Sequence, residues 1–360
     1  MTHSIENRQV AWGGQGRAFP LLAALMLLLS IPCCHAQQAL IYDDDCSQDV
    51  DCVATLPIVH TLEDRGEIRI LAMVADSANP LTAPVLRLFA NDAGRPKLAI
   101  GANQTALPDN LNCAKWKCNE SVWTAGLVAR FNAGDTRAKY PDCVTTYRRA
   151  LAGQPAHSAA IAETGFATCL IQLLHSPADK ISPLTGAELV RQKVKLLSIM
   201  GGAYPTGSEW NFMCDAPEYH ELFTLWTRQK GFPPLYLNGF GNGEKILAGA
   251  PADASPSTNP TVYGMQLAST KQRPMWDVQS VLFAARGVSY DGTAYFSVTA
   301  PGTVVVDPQT GANTWTPATD SGHYVIYNAA PVEAFERILD GYTFHTGLLA
   351  TPPRKAAGKP

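Results

Sequence analysis

The chain has 360 residues and a formal charge of −3, with 46% hydrophobic and 16% charged residues. That is the balance of a globular protein, long enough for one large α/β domain or two ordinary ones. It holds no basic surplus of the kind a nucleic-acid footprint needs, which excludes nucleic acid as the expected partner.

Residues 1–36 read as a secretory signal peptide. A polar start with Arg8 and Arg17 leads into the apolar run Phe19 to Leu29, and Cys34-His35-Ala36 offers small residues at a cleavage site after Ala36. The apolar run is too short for a stable membrane span. Lipid anchoring is the alternative, since Cys33 and Cys34 follow the run, although Ser30-Ile31-Pro32 makes a poor lipidation signal. The expected location is the periplasm or the exterior. Without this leader the formal charge is −4, and seven cysteines remain: Cys46, Cys52, Cys113, Cys118, Cys143, Cys169 and Cys214. An exported chain permits disulfides, and seven is odd, so at least one thiol stays unpaired within the chain. Cys113, Cys118 and Cys143 share one polar segment, where a bridge is expected. The absence of paired Cys-x-x-Cys or Cys/His spacing argues against zinc, and the eight histidines show no ligand spacing either.

The run Ala39-Leu40-Ile41-Tyr42 predicts a strand. It opens into Asp43-Asp44-Asp45-Cys46-Ser47-Gln48-Asp49-Val50-Asp51, and helically spaced apolar residues follow from Val53 to Leu62. Strand, acidic loop and helix succeed one another. Carboxylates packed so closely repel unless a hard cation offsets them, and calcium takes six to eight oxygen ligands; the plainer reading is a solvated loop that caps a helix. An EF-hand fails, because the sixth and twelfth positions hold Gln48 and Ala54 counted from Asp43, and Val50 and Leu56 counted from Asp45. Open α/β sheets place ligands at the carboxyl ends of strands, where this loop falls.

Gly66 is the expected helix C-cap. A buried strand is predicted over Ile68 to Ala75, ending in the polar Asp76-Ser77-Ala78-Asn79-Pro80. A helix through Val85 to Phe89 and a strand over Lys97 to Gly101 follow. Such alternation predicts a parallel sheet with crossover helices. Residues 102–160 read as an irregular insertion with some helix near Val122–Phe131. Beyond it a helix opens at Thr164–Thr168, and the strand Val194 to Met200 stops at Gly201-Gly202. Then come a helix from Pro217 to Gln229, the strand Leu235 to Leu237, a loop over 250–261 and a helix over Asp277 to Ala285. A β-rich stretch from Ala294 to Tyr327 turns at Gly311-Ala312-Asn313. A last helix covers Pro331 to Leu339, and 351–360 read as a disordered tail. Repeats and interdomain linkers are absent. A single α/β domain over 37–350, with a parallel-rich mixed sheet flanked by helices, is the expectation.

Four motifs in order carry a resemblance: the acidic loop, Met200-Gly201-Gly202, Glu209-Trp210-Asn211 and Trp276-Asp277. Together they resemble the inosine–uridine-preferring nucleoside hydrolase family over about residues 39–345, most of all its bacterial branch with an Asp-Val-Asp-Asp motif. The resemblance implies a calcium ion at the strand ends and hydrolysis of the N-glycosidic bond of ribonucleosides to ribose and free base. It implies Asp45 as a metal ligand and general base toward water, with Asp43 as its supporting neighbour. Asp49 or Asp51 supplies a further metal carboxylate, Thr168 a main-chain carbonyl ligand, and Asp277 the last carboxylate ligand. Asn79, Met200, Glu209 and Asn211 match positions around the ribose. Carboxylates and amides in such places suit an oxocarbenium-like transition state.

The sequence departs from the family at four positions. Ser47 stands for Gly, costing the loop freedom at positive φ. Cys52 stands for the last aspartate, Cys169 for the Asn after the threonine, and Trp276 for a His often cast as the acid toward the leaving base. The acid then lies elsewhere, or stacking by Trp276 or Trp210 activates the leaving base; the plainer reading of Trp276 is core packing. Two rival functions follow: a nucleoside- or ribose-binding protein of the same fold without turnover, and a metal-dependent phosphatase with Asp43 as nucleophile. Base preference and association into a homo-oligomer are left open by the sequence.

Overall fold

In a computed structural model of the chain, Met1 and residues 37–105, 115–131, 137–249, 258–319 and 321–344 are described. The signal-peptide reading, Cys113 and the tail 351–360 lie outside these residues.

Eleven strands form one sheet: β1 Gln38–Asp44, β2 Ile68–Ala75, β3 Ile100–Ala102, β4 Ala159–Glu163, β5 Val194–Met200, β6 Thr206–Gly207, β7 Leu235–Asn238, β8 Phe296–Val298, β9 Gly302–Val306, β10 Asn313–Pro317 and β11 His323–Asn328. Their order is β3-β2-β1-β4-β5-β7-β11-β9-β10-β6, with β8 also paired to β11. From β3 to β11 every pairing is parallel, while β8, β9, β10 and β6 pair antiparallel. The mixed, parallel-rich sheet is therefore as the sequence alternation predicts. Chain order reverses between β1 and β4, and the crevice at such a reversal is where α/β sheets hold ligands.

Buried strands are apolar on both faces because helices cover both. Leu40 and Tyr42 of β1 face one core, with the helices α1 (Cys52–Asp64) and α2 (Thr82–Asp92); Ile41 faces the other, with α3 (Cys143–Ala152) and α4 (Thr168–His175). Helix α1 ends with Gly66 at φ 73°, the left-handed position expected of a C-cap glycine.

Among its described residues, the segment 102–160 is more regular than the sequence suggests. It holds the expected helix at Thr124–Phe131, but also the crossover helix α3 and the first two residues of the central strand β4. Alanine supplies three of the five residues of β4, and alanine has little strand preference. Of the 250–261 loop reading, residues 250–257 lie outside the described residues, and its last two positions open a helix, Pro260–Leu267, capped by an Asn259 side chain that accepts the Val262 amide.

The expected bridge among Cys113, Cys118 and Cys143 is not formed by the described cysteines. The disulfides are Cys46–Cys52, Cys118–Cys214 and Cys143–Cys169. Sequence proximity misled because α3 and α4 pack side by side, which brings Cys143 to Cys169 across 26 positions. No helix among the described residues is long and apolar enough to cross a membrane.

Candidate active site

The acidic loop leaves the carboxyl end of β1 and enters α1 within seven residues. Side chains alternate along a strand, so Asp44 turns to the side of Tyr42, whose hydroxyl donates to Asp44 Oδ2 at 2.7 Å. The Cys46 amide donates to Asp44 Oδ1 at 2.9 Å. Asp43 is fully buried on the other side and accepts the Tyr147 hydroxyl. The loop bends at Cys46, at φ 30°, rather than at Ser47. Ser47 therefore replaces glycine without left-handed strain, and its hydroxyl donates to the Cys118 carbonyl at 3.2 Å.

Asp45, Asp49, Asp51, Thr164, Met200, Glu209, Asn211, Trp276 and Asp277 line one cavity of about 390 Å³ at the strand ends, with Gln48, Trp210, Phe240 and Arg273. Eight residues singled out from the sequence as site residues thus converge from four stretches of chain. Asn79 and Thr168 are buried but stand outside this lining. The Asn79 side-chain oxygen accepts the Leu81 amide at 2.9 Å. The Thr168 amide and hydroxyl both donate to Asp215, at 2.9 and 3.0 Å, which holds the residue at the start of the helix Thr168–His175.

One wall is acidic. Asp51 Oδ2 accepts the amides of Trp276 and Asp277 at 3.0 and 3.2 Å, at the start of the helix Asp277–Arg286, which we label α5. Its Oδ1 makes no hydrogen bond among the described residues. Asp49 differs. Its Oδ1 accepts the Val50 and Asp51 amides, and Arg273 grips both oxygens at 2.9 and 2.5 Å. Of the two aspartates left as alternatives, Asp51 is the one free to hold a cation. Burial pushes the carboxyls of Asp45, Asp51 and Asp277 well up, reinforced by Asp44 and Asp51 beside Asp45, by Asp49 beside Asp51, and by Asp51 and Asp44 beside Asp277. Such a group must hold protons or share a cation.

The facing wall is built by the turn after β5. Gly202, at φ 79°, makes that turn, and a side chain there would collide with Tyr204 and Phe212. Glu209 caps the short helix Trp210–Cys214: its Oε1 accepts the Asn211 amide at 2.8 Å, and its Oε2 the Gly202 and Phe212 amides at 2.9 and 3.3 Å. Asn211 Nδ2 donates to the Met200 carbonyl at 3.1 Å. Burial raises the Glu209 carboxyl, while these amides pull it down.

The third side is aromatic. Trp276 stacks on Phe240 with centroids 5.3 Å apart, and its indole N–H donates to the Phe240 carbonyl at 2.8 Å. Trp276 is thus a half-buried cavity wall rather than core packing. Trp210 meets Trp116 edge-on at 5.9 Å. Phe240 and Arg273 went unnoticed in the sequence, although the glycine-rich Gly239-Phe240-Gly241-Asn242-Gly243 after β7 marks a close approach of backbone to the site.

Asp44 lies with Cys46 and Cys52 in a compact group of ligand-type atoms. Those two sulfurs are bonded to each other, so the group offers no thiolate pair to a metal. The oxygen donors of the acidic wall suit a hard cation better. The phosphatase alternative loses support, because Asp43 is sealed under Tyr147 and does not line the cavity.

Solved structures match this architecture over nearly the whole described chain. The inosine-uridine preferring nucleoside hydrolase from Bacillus anthracis aligns over 85% of this chain and 99% of its own, with a TM-score of 0.61 and 14% identity. The fold is that of the nucleoside hydrolases. An inosine-guanosine nucleoside hydrolase aligns over 85% of this chain and 98% of its own, at TM-score 0.61 and 15% identity. The type III effector protein XopQ, solved with adenosine diphosphate ribose, aligns over 86% and 93%, at TM-score 0.61 and 16% identity. No protein-family model and no curated protein matches the sequence.

Proposed function

We propose that the chain is an exported, calcium-dependent N-ribohydrolase that releases the free base from ribonucleosides. The observation that carries this reading is the division of one cavity into an acidic wall of Asp45, Asp51 and Asp277, a polar wall of Glu209 and Asn211, and an aromatic pair, Trp276 and Phe240. A ribose fits between the acidic and polar walls, and a heteroaromatic base fits against the aromatics. Signal-like residues 1–36 and three disulfides support export, since disulfides persist in oxidising compartments.

The donor set fits the implied cation. Asp45, Asp51 through its open Oδ1 and Asp277, which line the cavity together, would hold it, all through oxygens, as calcium prefers. When bound, calcium supplies a Lewis acid that polarises hydroxyls and makes water easier to deprotonate. Asp45 takes the proton of the attacking water as its oxygen bonds to C1′. Glu209 and Asn211, fixed by their backbone hydrogen bonds, hold the sugar hydroxyls. The negative walls favour positive charge developing on the ribose ring.

The test is base release from purine and pyrimidine ribonucleosides by the purified mature protein, with calcium and with a chelator. Release that chelation abolishes supports the proposal. One observation favours a second reading, a nucleoside-binding protein without turnover: Cys52 is bonded to Cys46 where a further carboxylate would otherwise stand. Stoichiometric nucleoside binding without base release would establish that reading instead.

A further inference from the structure

We propose that the Arg273 guanidinium stabilises the departing base as the N-glycosidic bond breaks, a role that rests on the hydrolytic reading above. Arg273 is the one cation among the described residues that line the cavity; the other charged groups there are five carboxylates, Asp45, Asp49, Asp51, Glu209 and Asp277. A cation near the ribose would oppose the charge that cleavage creates there. Arg273 instead sits at the aromatic side, its guanidinium carbon 5.4 Å from the Trp276 ring centre, and Trp276 is stacked on Phe240.

The guanidinium is held rigidly. It lies on the short strand Gln272–Pro274, which pairs with Leu247–Gly249. One edge is fixed by Nε and Nη2 on the two oxygens of Asp49, at 2.9 and 2.5 Å. Asp49 is held in turn by the Val50 and Asp51 amides. A guanidinium carries five N–H donors, and these two bonds use two of them. Nη1 makes no hydrogen bond among the described residues, so donors remain for a ligand.

Cleavage sends the C1′–N bonding pair onto the base nitrogen. The attacking water bonds to C1′ through its oxygen and gives a proton to Asp45. The base then carries negative charge until a solvent proton reaches it. Arginine does not release its own proton at ordinary pH, so Arg273 acts as a fixed cation and hydrogen-bond donor to the departing base. Placed donors of this kind typically contribute ~10²–10³ in kcat.

The experiment compares wild type and Arg273→Gln on inosine and on 4-nitrophenyl β-ribofuranoside, whose nitrophenolate departs as a stable anion without help. Thermal unfolding is recorded for each variant. The expected result is a fall of about 100-fold in kcat on inosine and a much smaller fall on the nitrophenyl substrate, with Arg273→Lys recovering part of the difference. Equal falls on both substrates would overturn the inference, leaving Arg273 as a fastener of the acidic loop through Asp49. Wild-type protein that cleaves the nitrophenyl riboside but not inosine would also overturn it while leaving the hydrolytic site standing. Cleavage of neither would instead defeat the hydrolytic reading itself. Should Arg273→Gln not fold, Arg273→Lys is read in the same two-substrate comparison, where an unchanged substrate ratio counts against the role.

Discussion

Asp49 and Asp51 differ by two positions and do different work. Asp49 spends both oxygens on an arginine 224 positions away, whereas Asp51 keeps Oδ1 open to the cavity. We expect Asp51→Asn to abolish calcium binding measured by titration calorimetry. Asp49→Asn should weaken it by less than about tenfold, which is about 1.4 kcal/mol. Loss of binding in Asp49→Asn with retention in Asp51→Asn would reverse the assignment. The sequence could not separate the two, because both lie in one loop with the same local chemistry and the deciding partner arrives from the distant strand Gln272–Pro274. Trp276 was open to stacking or core packing for the same reason: its partner Phe240 lies 36 positions away on another strand end. Where the deciding contact is local, the sequence was legible. Glu209 and Asn211 form a cap within three residues, and both line the cavity.

At the level of elements, two of the four departures from the family pattern turn out to be disulfide partners. Cys52 closes the acidic loop onto Cys46, and Cys169 fastens α4 to α3. Cysteine pairing depends on which helices and loops pack together, and spacing along the chain carries little of that information. The strands near the site were legible where β-branched or leucine-rich runs ended in polar loops, as in β1, β2 and β5; the alanine-rich β4 was not. The bridge Cys118–Cys214 spans 96 positions and ties the segment beneath Trp116 to the helix that bears Trp210 and Asn211. Closing so long a loop in the unfolded chain is worth roughly 4.7 kcal/mol. The double variant Cys118→Ser/Cys214→Ser should lower the melting temperature by on the order of 10 °C. It should also raise KM for nucleosides more than it lowers kcat, because the polar wall loosens while Asp45 stays in place. A fall in kcat alone would refute that separation.

Across the whole molecule, the parallel sheet gathers carboxyls at one end and buries them, which makes stability depend on pH and, on the proposed reading, on calcium as well. Burial pushes the Asp43 carboxyl up to about 8, with the Tyr147 hydroxyl opposing and Asp44 adding to the rise. Burial likewise pushes Asp44 up to about 6, against hydrogen bonds from Tyr42 and the Cys46 amide. Both carboxyls hold protons more tightly in the folded chain than in the unfolded one, where the ordinary value is 3.8. Their contribution is therefore complete below about pH 4 and is lost as pH rises through 6 and then 8. His60 has the opposite sign. Burial and the nearby Arg95 pull its ring down to about 3 from 6.5, so the folded chain loses stability as pH falls from 6.5 toward 3. In chelator, the melting temperature should decline from pH 6 to pH 8, and His60→Leu should flatten the loss on the acid side. Calcium competes with protons for the carboxylates, so the gain in melting temperature on adding calcium should widen over the interval in which the chelated protein weakens. Differential scanning calorimetry from pH 4 to pH 8, with calcium and with chelator, measures both limbs. A calcium gain that stayed constant across that range would mean that the cation does not draw on the buried carboxyls, and the acidic wall would then be a proton-bearing structure only.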